Sequence, residues 1–113
     1  MLITDVVKEI TDSNFDEFIK NEGVTVVDFH AYEWCAPCKV LSPIVDQLAI
    51  DYFNEKKSVK IGKIDIDNSR DKAVELGITS VPTILIYKDG SLMDRSVGMI
   101  PKNKLDALIR KHL

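Results

Sequence analysis

Two cysteines are all that this 113-residue chain contains. A small disulfide scaffold would spread more of them along the sequence, so that class of fold is excluded. Charge of either sign is not in excess. Fifteen Lys and Arg stand against eighteen Asp and Glu, for a net charge of −3 and a pI of about 5.3. No Lys/Arg cluster stands out along the sequence, so binding to nucleic acid or acidic lipid has no electrostatic footprint. No apolar run approaches the roughly 18–20 residues of a membrane span. Met1-Leu2-Ile3-Thr4-Asp5 carries no basic region followed by a long apolar stretch, so no signal peptide is expected and the default location is the cytoplasm. Repeats, low-complexity segments and linkers are missing too, as is any glycine-rich nucleotide fingerprint. What remains is 45% hydrophobic and 29% charged, an ordinary soluble composition. The length suits one domain spanning residues 1–113.

Strand and helix patterns alternate along the chain. Val6–Ile10 reads as a short strand. Asp12 or Ser13 is placed to cap a helix bearing Phe15, Phe18 and Ile19, with Gly23 closing it. The near-continuous apolar run Val24–Ala31, interrupted by Asp28 and His30, reads as a buried strand from its β-branched content and length. After Tyr32-Glu33-Trp34, a helical period runs from Cys35 to about Phe53 through Val40, Leu41, Ile44, Val45, Leu48 and Tyr52, with Pro43 inside it. Val59–Ile66 is a further strand. A short helix capped by Asn68 or Ser69 follows through Ala73, Val74 and Leu76 to Gly77. Thr83–Tyr87 and Leu92–Val97 form a hairpin about Lys88-Asp89-Gly90, and Pro101 opens a final helix with Leu105, Leu108 and Ile109 inward. The order βαβαβαββα predicts an α/β fold: parallel strands, helices on both faces, and a late antiparallel hairpin.

The two cysteines, Cys35 and Cys38, flank Ala36-Pro37 at the start of the long helix. Closing so small a loop stabilises little, which favours chemistry over scaffolding. Disulfide exchange needs an exposed thiol of lowered pKa and a second thiol close by to resolve the mixed disulfide. A helix N-terminus, with free N–H groups and partial positive charge, favours a thiolate at Cys35. Cys38, one turn in, is then the resolving thiol, and Pro37 suits the first turn. Two other readings are a zinc half-site and a pair of buried structural cysteines. Zinc needs four ligands, and the only other soft ligands, His30 and His112, are far apart without finger spacing. Trp-Cys-Ala-Pro-Cys-Lys is a poor core pattern.

The run Val27-Asp28-Phe29 … Trp34-Cys35-Ala36-Pro37-Cys38-Lys39 resembles the active-site segment of the thioredoxin family. Further matches follow in order: Pro43, Lys63-Ile64-Asp65-Ile66-Asp67, Gly77-Ile78-Thr79-Ser80-Val81-Pro82-Thr83, Lys88-Asp89-Gly90 and Gly98. They extend from about Val6 to the end. The resemblance implies the thioredoxin fold, a central mixed sheet flanked by helices. It implies protein-disulfide reduction with Cys35, Cys38, Asp28 and Lys63 catalytic. Asp28 would exchange a proton with Cys38, with Lys63 beside it; the alternative is a structural buried ion pair. Val81-Pro82 resembles the family's cis-proline loop, which with Trp34, Ala36, Pro37 and Gly98 would form the substrate-docking patch. The implied partners are disulfide-containing client proteins and a thioredoxin reductase. No cofactor or metal is expected on this chain, and NADPH would serve the reductase.

Three features depart from the family pattern. Ala36 stands where Gly is usual, which stiffens the helix start and leaves reduction potential and partner choice open. Tyr32 and Glu33 occupy a stretch that typically has one residue, an excess the loop should absorb. His30 replaces a usual Trp and lies on the same strand face as Asp28, which makes it a candidate for tuning thiol titration near neutral pH. Its alternative is a polar packing replacement. Two other functions compete with disulfide reduction. A thiol oxidant or isomerase usually carries a polar residue between the cysteines, absent here. A binding module with incidental redox chemistry would not need both cysteines, Asp28 and the Pro82 loop.

Overall fold

Apolar β-branched side chains on both faces put the run Val24–Phe29 at the centre of a sheet. In the computed structural model, which describes residues 2–113, it becomes β2 (Val24–His30), buried along all but its last residue. β2 pairs in parallel with β3 (Val59–Asp65), from Val24 opposite Val59 to His30 opposite Asp65. On its other side it pairs antiparallel with β4 (Thr83–Lys88). β1 (Val7–Ile10) and β5 (Ser91–Val97) are the edges, giving the order β1-β3-β2-β4-β5. The helices are α1 (Phe15–Ile19), α2 (Ala36–Asn54), α3 (Arg70–Glu75) and α4 (Lys102–Arg110). This is the expected βαβαβαββα order, preceded by a 3-10 turn at Ile3–Asp5 that no sequence pattern announced.

Strand alternation divides the core in two. Val24, Val26, Ile61, Ile84 and Ile86 face α2 and α4, packing with Leu41, Val45, Leu48 and Leu105. Val27, Phe29, Ile64 and Leu85 face α1 and α3, packing with Phe15, Phe18 and Ala73. Asp28 and His30 share the parity of Val24 and Val26, so they lie on the α2 face. Gly62 permits the close approach of α1: a Cβ there would stand 2.5 Å from Ile10 Cγ1 and 2.9 Å from the Phe18 ring.

Several local expectations change in three dimensions. Asp12 does not cap α1. Its carboxylate accepts the backbone N–H groups of Asp71 (3.2 Å) and Lys72 (2.9 Å), so it caps α3 from across the fold. Ser69 Oγ accepts the Asp12 N–H in return, at 3.3 Å. Gly23 does not end α1 either; it pairs with the β4–β5 turn, where Asp89 N–H donates to Gly23 O (3.0 Å) and Gly23 N–H to Asp89 Oδ1 (2.7 Å). Val40 is 56% exposed, because the buried seam of α2 is Leu41, Val45, Leu48 and Tyr52. Its own stripe continues into polar Gln47 and Asp51.

Candidate active site

The chain leaves β2 at His30, turns through Tyr32–Trp34, and enters α2 with Cys35 as its N-cap residue. The turn absorbs the additional loop residue, and Cys35 N–H closes it onto Ala31 O at 3.2 Å. Cys38 N–H points at Cys35 Sγ, 3.1 Å away. The sulfur therefore occupies the place where a capping oxygen normally receives a free helix N–H. Pro37 sits in the first turn, where its missing N–H leaves nothing unpaired. Cys35 and Cys38 are joined in a disulfide with a Cα–Cα separation of 5.2 Å.

The expectation of an exposed Cys35 needs correction for this state. Cys35 is 4% exposed and Cys38 3%. The bond turns both sulfurs inward, among Ala31, Ile66 and Val81. Cys35 Sγ also lies 3.7 Å from the carbonyl oxygen of Val81.

The Val81–Pro82 peptide bond is cis. Pro82 O accepts Gly98 N–H at 2.8 Å, and Thr83 Oγ1 donates to Ser80 O at 2.7 Å, so the loop is fixed on both sides. Gly98 has φ +88° with open space where a Cβ would be. Trp34 is 62% exposed, and its indole N–H donates to Asp67 Oδ2 at 2.8 Å. Ala36 and Pro37 are exposed beside it, and Val81 is half-buried.

Asp28 is 1% exposed and its Oδ1 has no hydrogen-bond partner. Burial pushes its carboxyl up to about 7; the charge of Lys63 pulls the other way, and Asp46 adds to the rise. Lys63 is the register partner of Asp28, but its ammonium turns to α2, 2.7 Å from Asp46 Oδ1 and 2.5 Å from Ser42 Oγ. No ion pair joins Lys63 to Asp28 among the described residues, so the buried-pair reading does not describe Asp28. Ser42 and Asp46 went unnoticed in the sequence. Their signal was a polar i, i+4, i+8 series from Cys38 on one face of α2.

His30 is half-buried opposite Asp65. Burial lowers its pKa, partly offset by Asp65, while Lys63 lowers it further. It lines a groove of about 530 Å³ with Tyr32, Lys63 and Asp65. His112 lies elsewhere, hydrogen-bonded to Asp94. Among the described residues no three His, Cys, Asp or Glu side chains are grouped to hold a metal ion, and no helix is long and apolar enough to cross a membrane.

The helix-capping disulfide lies 3.7 Å from the cis-proline loop, and the buried Asp28 belongs to the strand that leads into it. The thioredoxin family profile matches residues 6–111. This chain belongs to the thioredoxin family. It is 42% identical to a thioredoxin of Staphylococcus saprophyticus subsp. saprophyticus over 105 residues, 93% of this chain and 96% of that one. A thioredoxin of Porphyra purpurea is 39% identical over 108 residues, covering 95% and 97% of the two chains. A solved point-mutant thioredoxin from Halobacterium salinarum NRC-1 superposes with a TM-score of 0.83 at 28% identity, covering 99% of this chain and 95% of that one. Thioredoxins are protein-disulfide oxidoreductases that work through such a cysteine pair and carry no cofactor of their own.

Proposed function

We propose that residues 1–113 act as one thioredoxin domain that passes two electrons from the Cys35–Cys38 dithiol to disulfides of client proteins. The observation that carries the assignment of roles is the 3.1 Å approach of Cys38 N–H to Cys35 Sγ at the start of α2. That N–H and the helix dipole stabilise negative charge on Cys35, the attacking sulfur. The Cys35 thiolate forms a bond to one client sulfur; the client disulfide breaks and the other sulfur leaves as a thiolate that takes a proton. Cys38 then loses its proton and attacks Cys35 Sγ. The mixed disulfide breaks, the second client sulfur is released, and the Cys35–Cys38 disulfide forms.

Asp28 is the acceptor of the Cys38 proton. A carboxyl near 7 exchanges protons at neutral pH. Lys63, held by Ser42 and Asp46, is the positioning charge that keeps Asp28 from rising further. Trp34, Ala36, Pro37, Val81, Pro82 and Gly98 form the docking patch, with the client segment extended along Val81-Pro82. His30 tunes thiol titration through the one charge it shares with Asp28, that of Lys63. A thioredoxin reductase drawing on NADPH returns the disulfide to the dithiol, and the setting is the cytoplasm.

Insulin-disulfide reduction coupled to a thioredoxin reductase tests the scheme. Cys35→Ser abolishes turnover, and Cys38→Ser accumulates a covalent client adduct through Cys35. An adduct through Cys38 in Cys35→Ser, with none in Cys38→Ser, reverses the assignment. His30→Phe shifts the Cys35 titration followed by alkylation rate; an unchanged curve removes His30 from the scheme.

A further inference from the structure

At the end of the molecule opposite the cysteines, the fold gathers lysines that the sequence keeps apart. Lys57 and Lys60 flank the start of β3, and Lys8 comes from the edge strand β1. All three line a small pocket of about 160 Å³ whose walls include Phe18 and the 57%-exposed Phe53. Lys60 Nζ donates to Phe18 O at 3.2 Å and stands 4.6 Å from the Phe18 ring centroid. Lys8 Nζ donates to Thr4 O at 3.1 Å. Neutral groups thus hold two ammoniums in place, each with donors to spare. Among the described residues, none of the three lysines pairs with a carboxylate within 4.0 Å, in a chain of net charge −3. Asp5 is the one carboxylate lining the pocket, and it accepts Leu2 N–H at 2.9 Å.

We infer that this pocket docks an acidic, linear segment of a partner protein that inserts one aliphatic side chain between Phe18 and Phe53. Charge complementarity selects the occupant. Three cations call for carboxylates, and the apolar walls call for a hydrocarbon group that inorganic anions and nucleic-acid phosphates lack. Glu9 and Glu17 line the neighbouring depression beyond Lys8 and Lys60, so the acidic residues of the segment lie toward Lys57. The site is spatially separate from the redox chemistry: α2 runs from Ala36 to Phe53 over about 26 Å at 1.5 Å per residue. A partner held there leaves Trp34, Val81 and Gly98 free.

A fluorescein-labelled peptide Asp-Glu-Leu-Asp-Glu, titrated with the oxidised protein and followed by anisotropy, tests the site. The inference expects saturable binding below millimolar protein that weakens as salt rises. It expects K57E and the double variant K57E/K60E to weaken binding at least tenfold, while insulin reduction stays unchanged. K104E, in α4, leaves binding intact. Amide NMR shifts move around Lys8, Phe53 and Lys57. No saturation, equal binding by the Leu-to-Ala peptide, a loss in K104E equal to that in K57E, or shifts centred on Trp34 and Cys35 each overturn the inference. Displacement by equimolar inorganic phosphate, or tighter binding to anionic vesicles than to the peptide, overturns it as well.

Discussion

Replacing Asp28 with Asn removes a buried charge while keeping the side chain's shape, and the consequence depends on pH in a way that can be worked out. Asp28 is 1% exposed and sits at about 7 in the folded protein against an ordinary 3.8. Between those values the folded state holds a proton that the unfolded chain has released. Stability from this group is therefore full below about pH 4, falls as pH rises, and is lost above about 7. At 1.36 kcal/mol per pKa unit, the gap is on the order of 4 kcal/mol. The attraction of Lys63 is already contained in that value. The amide of Asp28→Asn never ionises, so the variant escapes the loss. Near pH 4 the two proteins should unfold together; above pH 7.5 the variant should be the more stable by up to that amount. With a urea slope of about 2 kcal/mol/M, the midpoints separate by about 2 M. Urea denaturation of the oxidised proteins from pH 4 to 8.5 is the assay, since the disulfide keeps both cysteines from titrating. A difference that stays constant with pH would refute the reasoning, because every other titrating group is common to the two proteins. In the reduced state the same variant should resolve mixed disulfides more slowly, since an amide cannot accept the Cys38 proton.

Lys63→Met removes the charge that opposes the rise at Asp28. The carboxyl should then titrate above 7, followed by carboxyl ¹³C NMR, and a value at or below 7 contradicts the assignment. Gly62→Ala places a methyl 2.5 Å from Ile10 Cγ1, which should cost about 1–3 kcal/mol of stability in denaturation; a neutral result means that α1 yields easily. Asp12→Ala removes the acceptor for two α3 N–H groups. It should cost about 1 kcal/mol and speed amide exchange at Asp71 and Lys72, and unchanged exchange there would show that α3 does not depend on this cap.

Much of the fold was legible because hydrophobic period and turn chemistry act locally. The run Val24–Phe29, the seam Leu41–Val45–Leu48–Tyr52 and the Lys88-Asp89-Gly90 turn each carry their own pattern. Errors came where a side chain's partner is distant in sequence. Asp12 has the composition of a local N-cap, yet it caps a helix nearly sixty residues on, because β1 and β3 pair side by side and bring the following loops together. Lys63 pairs with Asp46 rather than with its register partner, because its long stem reaches past Asp28 to α2. Lys8 meets Lys57 and Lys60 only through sheet assembly.

The cysteine pair divides along the same line. The sequence alone determined that Cys35 and Cys38 stand at a helix start with Ala36-Pro37 between them, since spacing and proline position are local facts. Family membership was equally local, carried by motifs in order along the chain. Tertiary structure decided what surrounds the sulfurs: burial of both in the disulfide, the Val81 carbonyl against Cys35, and Trp34 held outward by Asp67. It also decided that the Asp28 carboxyl is left without an ion-pair partner while Lys63 is drawn off to Ser42 and Asp46. Burial and the direction of a long side chain depend on what other segments bring to the same place, and no local pattern encodes that.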